Sequence, residues 1–123
     1  MGNLALIIED EVSLRAIYEL VLGNAGFDVI EAADGEQALS ILAETSPTVV
    51  LLDMLLPRVD GIHILNYIRT TPHLENTGIV IVTAHNHYSY TDLLFATDRF
   101  LLKPVRPHEL LRAAQQVTAT YAD

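Results

Sequence analysis

Five chemically capable side chains stand at the ends of otherwise featureless apolar runs. Glu9 and Asp10 follow the run Leu4 to Ile8, and Asp53 follows Val49-Val50-Leu51-Leu52. Thr83 follows Ile79 to Val82, and Lys103 follows Phe100-Leu101-Leu102 and precedes Pro104. A short apolar run bounded by turn residues reads as a buried parallel strand. Open parallel sheets bind their ligands beyond the carboxyl ends of the strands, so these side chains are candidates for one rim. Crowded carboxylates repel one another, which raises their pKa values or requires a cation. An oxygen-only site with few carboxylates suits Mg²⁺, which keeps waters and leaves positions for phosphate oxygens. A carboxylate is also a nucleophile that can carry an aspartyl-phosphate. Lys103 and Mg²⁺ would offset charge on a transferring phosphoryl group, and the Thr83 hydroxyl could donate to one of its oxygens.

The elements that must hold these residues alternate along the chain. Leu14, Ile17, Tyr18 and Val21 give Val12 to Leu22 one apolar helical face, and Gly23 and Gly26 stop that helix. Asp28 to Glu31 reads as a short strand near an edge. Gly35 to Glu44 is a second amphipathic helix, broken at Ser46-Pro47. Asp60 is most simply an N-cap for a helix over Gly61 to Arg69, and Thr71 to Thr77 reads as a polar loop. The stretch His85 to Ala96 is the least regular, with Leu93, Leu94 and Phe95 core-seeking. Pro107 suits the first position of a last helix whose stripe is Leu110, Ala114, Val117 and Tyr121. Strand and helix alternate five times, which predicts an α/β fold with a five-stranded parallel sheet and five helices on its two faces.

The totals narrow the field. The 123 residues fit one domain, 1–123, able to bury about two-thirds of its unfolded surface. With seven Lys and Arg against a net charge of −9, phosphate neutralisation is not available, so nucleic acid is not an expected partner. The charge favours cations or basic partner surfaces. The absence of Cys excludes disulfides and thiolate metal sites. No apolar run approaches the roughly 18 residues of a membrane span, and Glu9 and Asp10 interrupt the N-terminus, so no membrane or signal segment and a cytoplasmic location are expected.

Over essentially its whole length the chain resembles the receiver domain of two-component response regulators. The resemblance is carried by Ile8-Glu9-Asp10-Glu11, Gly26-Phe27, Ala33-Asp34-Gly35, Asp53 with Pro57, Asp60 and Gly61, Thr83-Ala84, and Phe100-Leu101-Leu102-Lys103-Pro104. It implies a doubly wound, flavodoxin-like receiver fold with strand order 2-1-3-4-5. It further implies that Asp53 is the phosphoacceptor, served by a histidine kinase or histidine phosphotransfer protein. Asp10, Asp53 and the Leu55 carbonyl would bind Mg²⁺, with Glu9 assisting. Lys103 would pair with Asp53 and later with the phosphoryl group, and its bond to Pro104 would be cis. Thr83 and Phe100 would form the switch pair. Such a protein is a phosphoprotein that catalyses only its own phosphorylation and dephosphorylation. The family's partner and homodimer surface is the face of the fourth helix, fifth strand and fifth helix. The outward residues of the first helix, Ser13, Arg15 and Glu19, are expected to help select the kinase.

Some positions depart from the family pattern. Glu9 stands where Asp is commoner, Ala96 and Thr97 where Gly-Ala is usual, Arg99 where an acid is frequent, and Arg106 where a capping Asp often precedes Pro107, so the last helix is expected to have lost a cap. Leu55 offers no polar group to orient water, and His85 occupies the other position that influences phosphoryl lifetime; slow self-hydrolysis is expected. His85-Asn86-His87-Tyr88-Ser89-Tyr90 reads as a polar, aromatic helix face and not as a metal site, because residues two apart do not face each other on a helix. Three rival readings stand beside the leading one. A flavodoxin-like cofactor binder needs a phosphate-cradling loop where acids stand. A phosphatase with an Asp nucleophile usually has a second Asp at the place of Leu55. A degenerate receiver serving as a phosphorylation-independent adaptor would not need the complete set of acids, Thr and Lys. Met1 suggests a native N-terminus, and the chain is expected to be either a stand-alone receiver or the first part of a longer regulator with an unknown downstream protein partner.

Overall fold

The computed structural model of the protein describes residues 3–54, 56, 58–84 and 98–120. Leu55, Pro57, the expected helix over His85 to Ala96, Thr97 and Tyr121 lie outside the described residues. Five parallel strands, β1 (Leu4–Ile8), β2 (Asp28–Ala32), β3 (Val49–Leu52), β4 (Gly78–Thr83) and β5 (Arg99–Leu102), form one sheet in the order β2-β1-β3-β4-β5. Among the described residues there are four α-helices, α1 (Val12–Asn24), α2 (Gly35–Glu44), α3 (Gly61–Thr70) and α4 (Pro107–Thr120). The expected strand order and the edge position of β2 are both found. No described helix is long and apolar enough to cross a membrane.

Side chains alternate across a strand, so each strand feeds two cores. Leu6, Ile8, Val50, Leu52, Ile79 and Ile81 pack with α2 and α3 through Ala38, Leu42, Ile64, Leu65 and Ile68. Ala5, Ile7, Val49, Leu51, Val80 and Val82 pack on the other face with α1 and α4 through Tyr18, Leu22, Leu110, Ala114 and Val117. This is the doubly wound arrangement. β1 and β3 are neighbours while β2 lies outside β1, so the strand order reverses at the carboxyl ends of β1 and β3. Such a switch point opens a crevice there.

Local chemistry explains the boundaries. Asp34 and Asp60 cap α2 and α3: their side chains accept from Gln37 N at 2.8 Å and Ile62 N at 2.9 Å. Gly26 takes φ +99 just beyond α1, in the left-handed region where glycine has no steric cost. Three local expectations need correction. Ile17 is 46 % exposed, because α1 seats Tyr18 and Leu22 on the sheet and only half-buries Leu14 and Val21. Thr71 to Thr77 is not merely a polar loop; it holds a 3₁₀ turn, Pro72–Leu74, that buries Leu74. The start of α4 keeps half of a capping box despite Arg106, since Glu109 Oε1 accepts from Arg106 N at 3.1 Å.

Candidate functional site

The same alternation that sorts the cores also gathers the site. Glu9, Asp53 and Lys103 each stand two residues beyond a residue packed on the α1–α4 face, namely Ile7, Leu51 and Leu101. Thr83, two beyond Ile81, has the opposite parity and shares a face with Phe100, which pairs with Ile81 in the ladder. The ladder itself runs on into the site. Glu9 N donates to Ala32 O at 3.1 Å, Asp53 N to Ile8 O at 3.0 Å, and Lys103 N to Thr83 O at 2.8 Å. The site residues are therefore held by strand hydrogen bonds.

The side chains converge. Lys103 Nζ lies 3.2 Å from Asp53 Oδ2 and 2.9 Å from Glu9 Oε1, so the ammonium bridges two carboxylates. One carboxylate oxygen from each of Glu9, Asp10 and Asp53 lies within 4.8 Å of the others. Glu9 and Asp53 are buried, Asp10 is exposed, and Thr83 is buried. Burial raises the Glu9 carboxyl above its ordinary value, with Lys103 and Glu11 N pulling the other way and Asp53 adding to the rise. Burial alone would lower the Lys103 ammonium, but Glu9 and Asp53 overcome it and hold the pKa above the ordinary value.

A divalent cation fits this donor set. Glu9 Oε2 accepts from Glu11 N at 3.2 Å, whereas buried Oε1 accepts no hydrogen bond of normal geometry among the described residues and only faces the ammonium. Three hard oxygens, two of them buried and one open to solvent, match an ion that retains waters. The Leu55 carbonyl, expected among the ligands, and Pro57 are outside the described residues. Asp60 sits at the N-terminus of α3 as a cap, and Gly61 permits close contact there: a Cβ at Gly61 would lie 2.7 Å from Met54 Cα. The Lys103-Pro104 peptide bond is cis, as expected.

Three features were not anticipated from sequence, two beside the site and one away from it. Tyr18 is buried on α1, and its hydroxyl is pushed up first by that burial and then by Glu9. Arg15 was expected to face outward, but its side chain is 18 % exposed and turned onto Glu9 and Glu31. Helical periodicity locates a face, not the reach of a long side chain, and so could not have revealed this. A buried pair, Arg69 with Asp98, ties α3 to the start of β5, far along the chain from either acid motif.

Two clefts among the described residues lie apart from the acid rim. One, of about 570 Å³, runs between β5 and α4 and is bordered by Arg99, Arg106, His108, Glu109 and Arg112. The other, of about 270 Å³, is at the opposite end of the sheet beside Asn3, Pro47, His73 and Thr118. With Asp10 exposed, the acid site is open to solvent.

Residues 5–115 match the response regulator receiver domain family. The chain is 39 % identical over 107 residues to a probable transcriptional regulator ycf27 of Porphyridium aerugineum, covering 85 % of this chain and 43 % of that protein. It is 29 % identical over 114 residues to Protein PilG of Pseudomonas aeruginosa, covering 91 % and 84 % of the two chains. It spans half or less of the length of the ycf27 relatives. Among solved structures, the chemotaxis response regulator CheY4 of Vibrio cholerae superposes with a TM-score of 0.86 at 27 % identity, over 95 % of this chain and 99 % of that one. A response regulator structure from Chloroflexus aurantiacus does so with 0.86 at 29 %, over 97 % and 99 %.

Proposed function

The chain belongs to the response regulator receiver domain family, and from that premise we propose that Asp53 is the phosphoacceptor of a two-component signalling switch. The observation that carries the proposal is the buried Asp53 carboxylate held by Lys103 beside the carboxylates of Glu9 and Asp10. The phosphoryl donor is a histidine kinase or histidine phosphotransfer protein. A carboxylate oxygen of Asp53 forms the new O–P bond as the P–N bond to the donor imidazole breaks, and the proton the imidazole needs comes from solvent at the open rim. Lys103 Nζ, already 3.2 Å from Asp53, exchanges the carboxylate for the phosphoryl oxygens. The Thr83 hydroxyl donates to one of those oxygens, and Phe100 on the same face repacks in response. Mg²⁺, when held by Glu9, Asp10, Asp53 and the Leu55 carbonyl, would neutralise the crowded acids and the incoming phosphoryl charge. The new charge has only to favour one of two packings that differ by a few kcal/mol. No external small molecule is turned over.

Two surfaces suit the partners. Val12, Ile17 and Leu20 are exposed on α1, which begins directly after the acids, so a donor protein reaching Asp53 meets an apolar helix face. The groove between β5 and α4 suits a different, downstream protein. Three guanidinium groups, of Arg99, Arg106 and Arg112, border that groove beside Glu109, which suits a partner surface that carries acids.

The test uses a small acyl phosphate and Mg²⁺ with intact-mass detection. A single, base-labile phosphate that requires Mg²⁺ and vanishes in Asp53→Asn supports the proposal. No mass gain favours an adaptor without phosphorylation. Leu55 leaves attacking water without a polar guide, so the phosphate should persist after donor removal; rapid loss would refute that part.

A further inference from the structure

We infer that Arg15 is a positioning residue for the acid cluster, fixing the segment that carries Glu9 and Asp10 and thereby setting the cluster's affinity for a divalent cation. The inference rests on the reading of Glu9, Asp10 and Asp53 as a Mg²⁺ site. Arg15 lies in the first turn of α1, and its guanidinium spans two elements. Nη1 donates to the backbone carbonyl of Glu9 at 2.8 Å, and Nε donates to Glu31 Oε1 on β2 at 3.0 Å. Its own backbone N bonds Glu11 O at 3.0 Å, so side chain and backbone grip both ends of the Glu9–Glu11 turn.

The grip falls where the strand ladder gives out. The pairing of β1 with β3 ends at Ile8 and Leu52, and Asp53 N takes the carbonyl of Ile8. The next carbonyl, that of Glu9, points away from the ladder to the guanidinium. Glu31 then anchors the guanidinium to the edge strand, so the turn carrying Glu9 and Asp10 is referenced to β2 as well as to β1. A planar guanidinium can serve two acceptors in fixed directions, which a lysine ammonium on a flexible stem cannot reproduce. The geometry matters because Mg²⁺ demands near-ideal octahedral coordination, and groups that orient its ligands commonly govern affinity by roughly 10-fold or more.

The experiment titrates the full chain with MgCl₂, following the Asp10 and Asp53 amide signals by NMR, and records thermal midpoints in EDTA. Arg15→Ala should raise the Mg²⁺ Kd roughly 10-fold, Arg15→Lys by less, and Glu31→Gln by a few-fold in the same direction. A purely structural role predicts lower midpoints with an unchanged Kd, and that result would overturn the inference. Arg15→Lys and Glu31→Gln keep the test valid should Arg15→Ala fold poorly. Wild-type protein that binds no Mg²⁺ would overturn the reading of the cluster itself, a result distinct from loss of the Arg15 effect alone.

Discussion

Glu9 occupies an uncomfortable position that the proposed ion would relieve. Burial, the largest influence, leaves its carboxyl above the ordinary value of 4.5 despite Lys103. A raised acid favours its protonated form in the folded chain. The resulting stabilisation is complete below pH 4.5 and is lost as the pH rises through the folded value. Near neutrality, ionised Glu9 therefore weighs against folding until a cation joins it. In EDTA, the unfolding free energy of Glu9→Gln relative to wild type should shift in favour of the variant as the pH rises from 4.5 towards neutrality. Added Mg²⁺ should shrink that shift; urea unfolding across the pH series measures both. An unchanged difference at every pH would show that the charge of Glu9 carries no such weight. Glu9 reaches the ammonium at 2.9 Å, nearer than Asp53 at 3.2 Å.

At the scale of elements, α4 closes tightly over β4 at Gly78. A Cβ there would sit 1.7 Å from Val117 Cγ1, so Gly78→Ala must displace the Val117 side chain or the helix that carries it. Overpacking of this kind costs about 1–3 kcal/mol. Because Val117 is the obstacle, Gly78→Ala combined with Val117→Ala should cost less than the sum of the two single variants, measured as a denaturation cycle. The strands and their acids were legible because a four- or five-residue apolar run ending in a charged residue leaves few alternatives, and alternation by two then fixes the faces. The helices were less legible. Period 3.6 located the stripe of α1 but could not tell that Tyr18 and Leu22 would take the interior while Ile17 turned outward. The cap at Asp60 was readable from residue type, whereas the cap at Asp34 and the help that Glu109 gives Arg106 came from the structure. Arg15 was expected to face outward because an arginine on a helix face is normally solvated, and only the return of Glu31 alongside it draws it in.

Across the molecule, the two ends of the sheet are held differently. At the amino ends of β4 and β5, Asp98 meets the buried Arg69 guanidinium and accepts from Ile79 N at 3.0 Å, while Arg69 Nη1 reaches Thr77 O at 3.3 Å. Residues separated by this much chain cannot be matched from sequence pattern. Removing one member of a buried ion pair costs about 3–5 kcal/mol, so Asp98→Ala should lower stability by that order, and Asp98→Asn, which keeps an acceptor for Ile79, by less. Chemical denaturation decides; a loss below 1 kcal/mol for Asp98→Ala would show the pair to be incidental. At the carboxyl ends, the ladder continues past the strands to the amides of Glu9, Asp53 and Lys103. Deuterium uptake at those three amides should consequently keep pace with the innermost strands and not with surface loops, opening only when the sheet itself comes apart. The reactive groups would then inherit the slow clock of the core, and their side chains would change partners against a main chain that stays still.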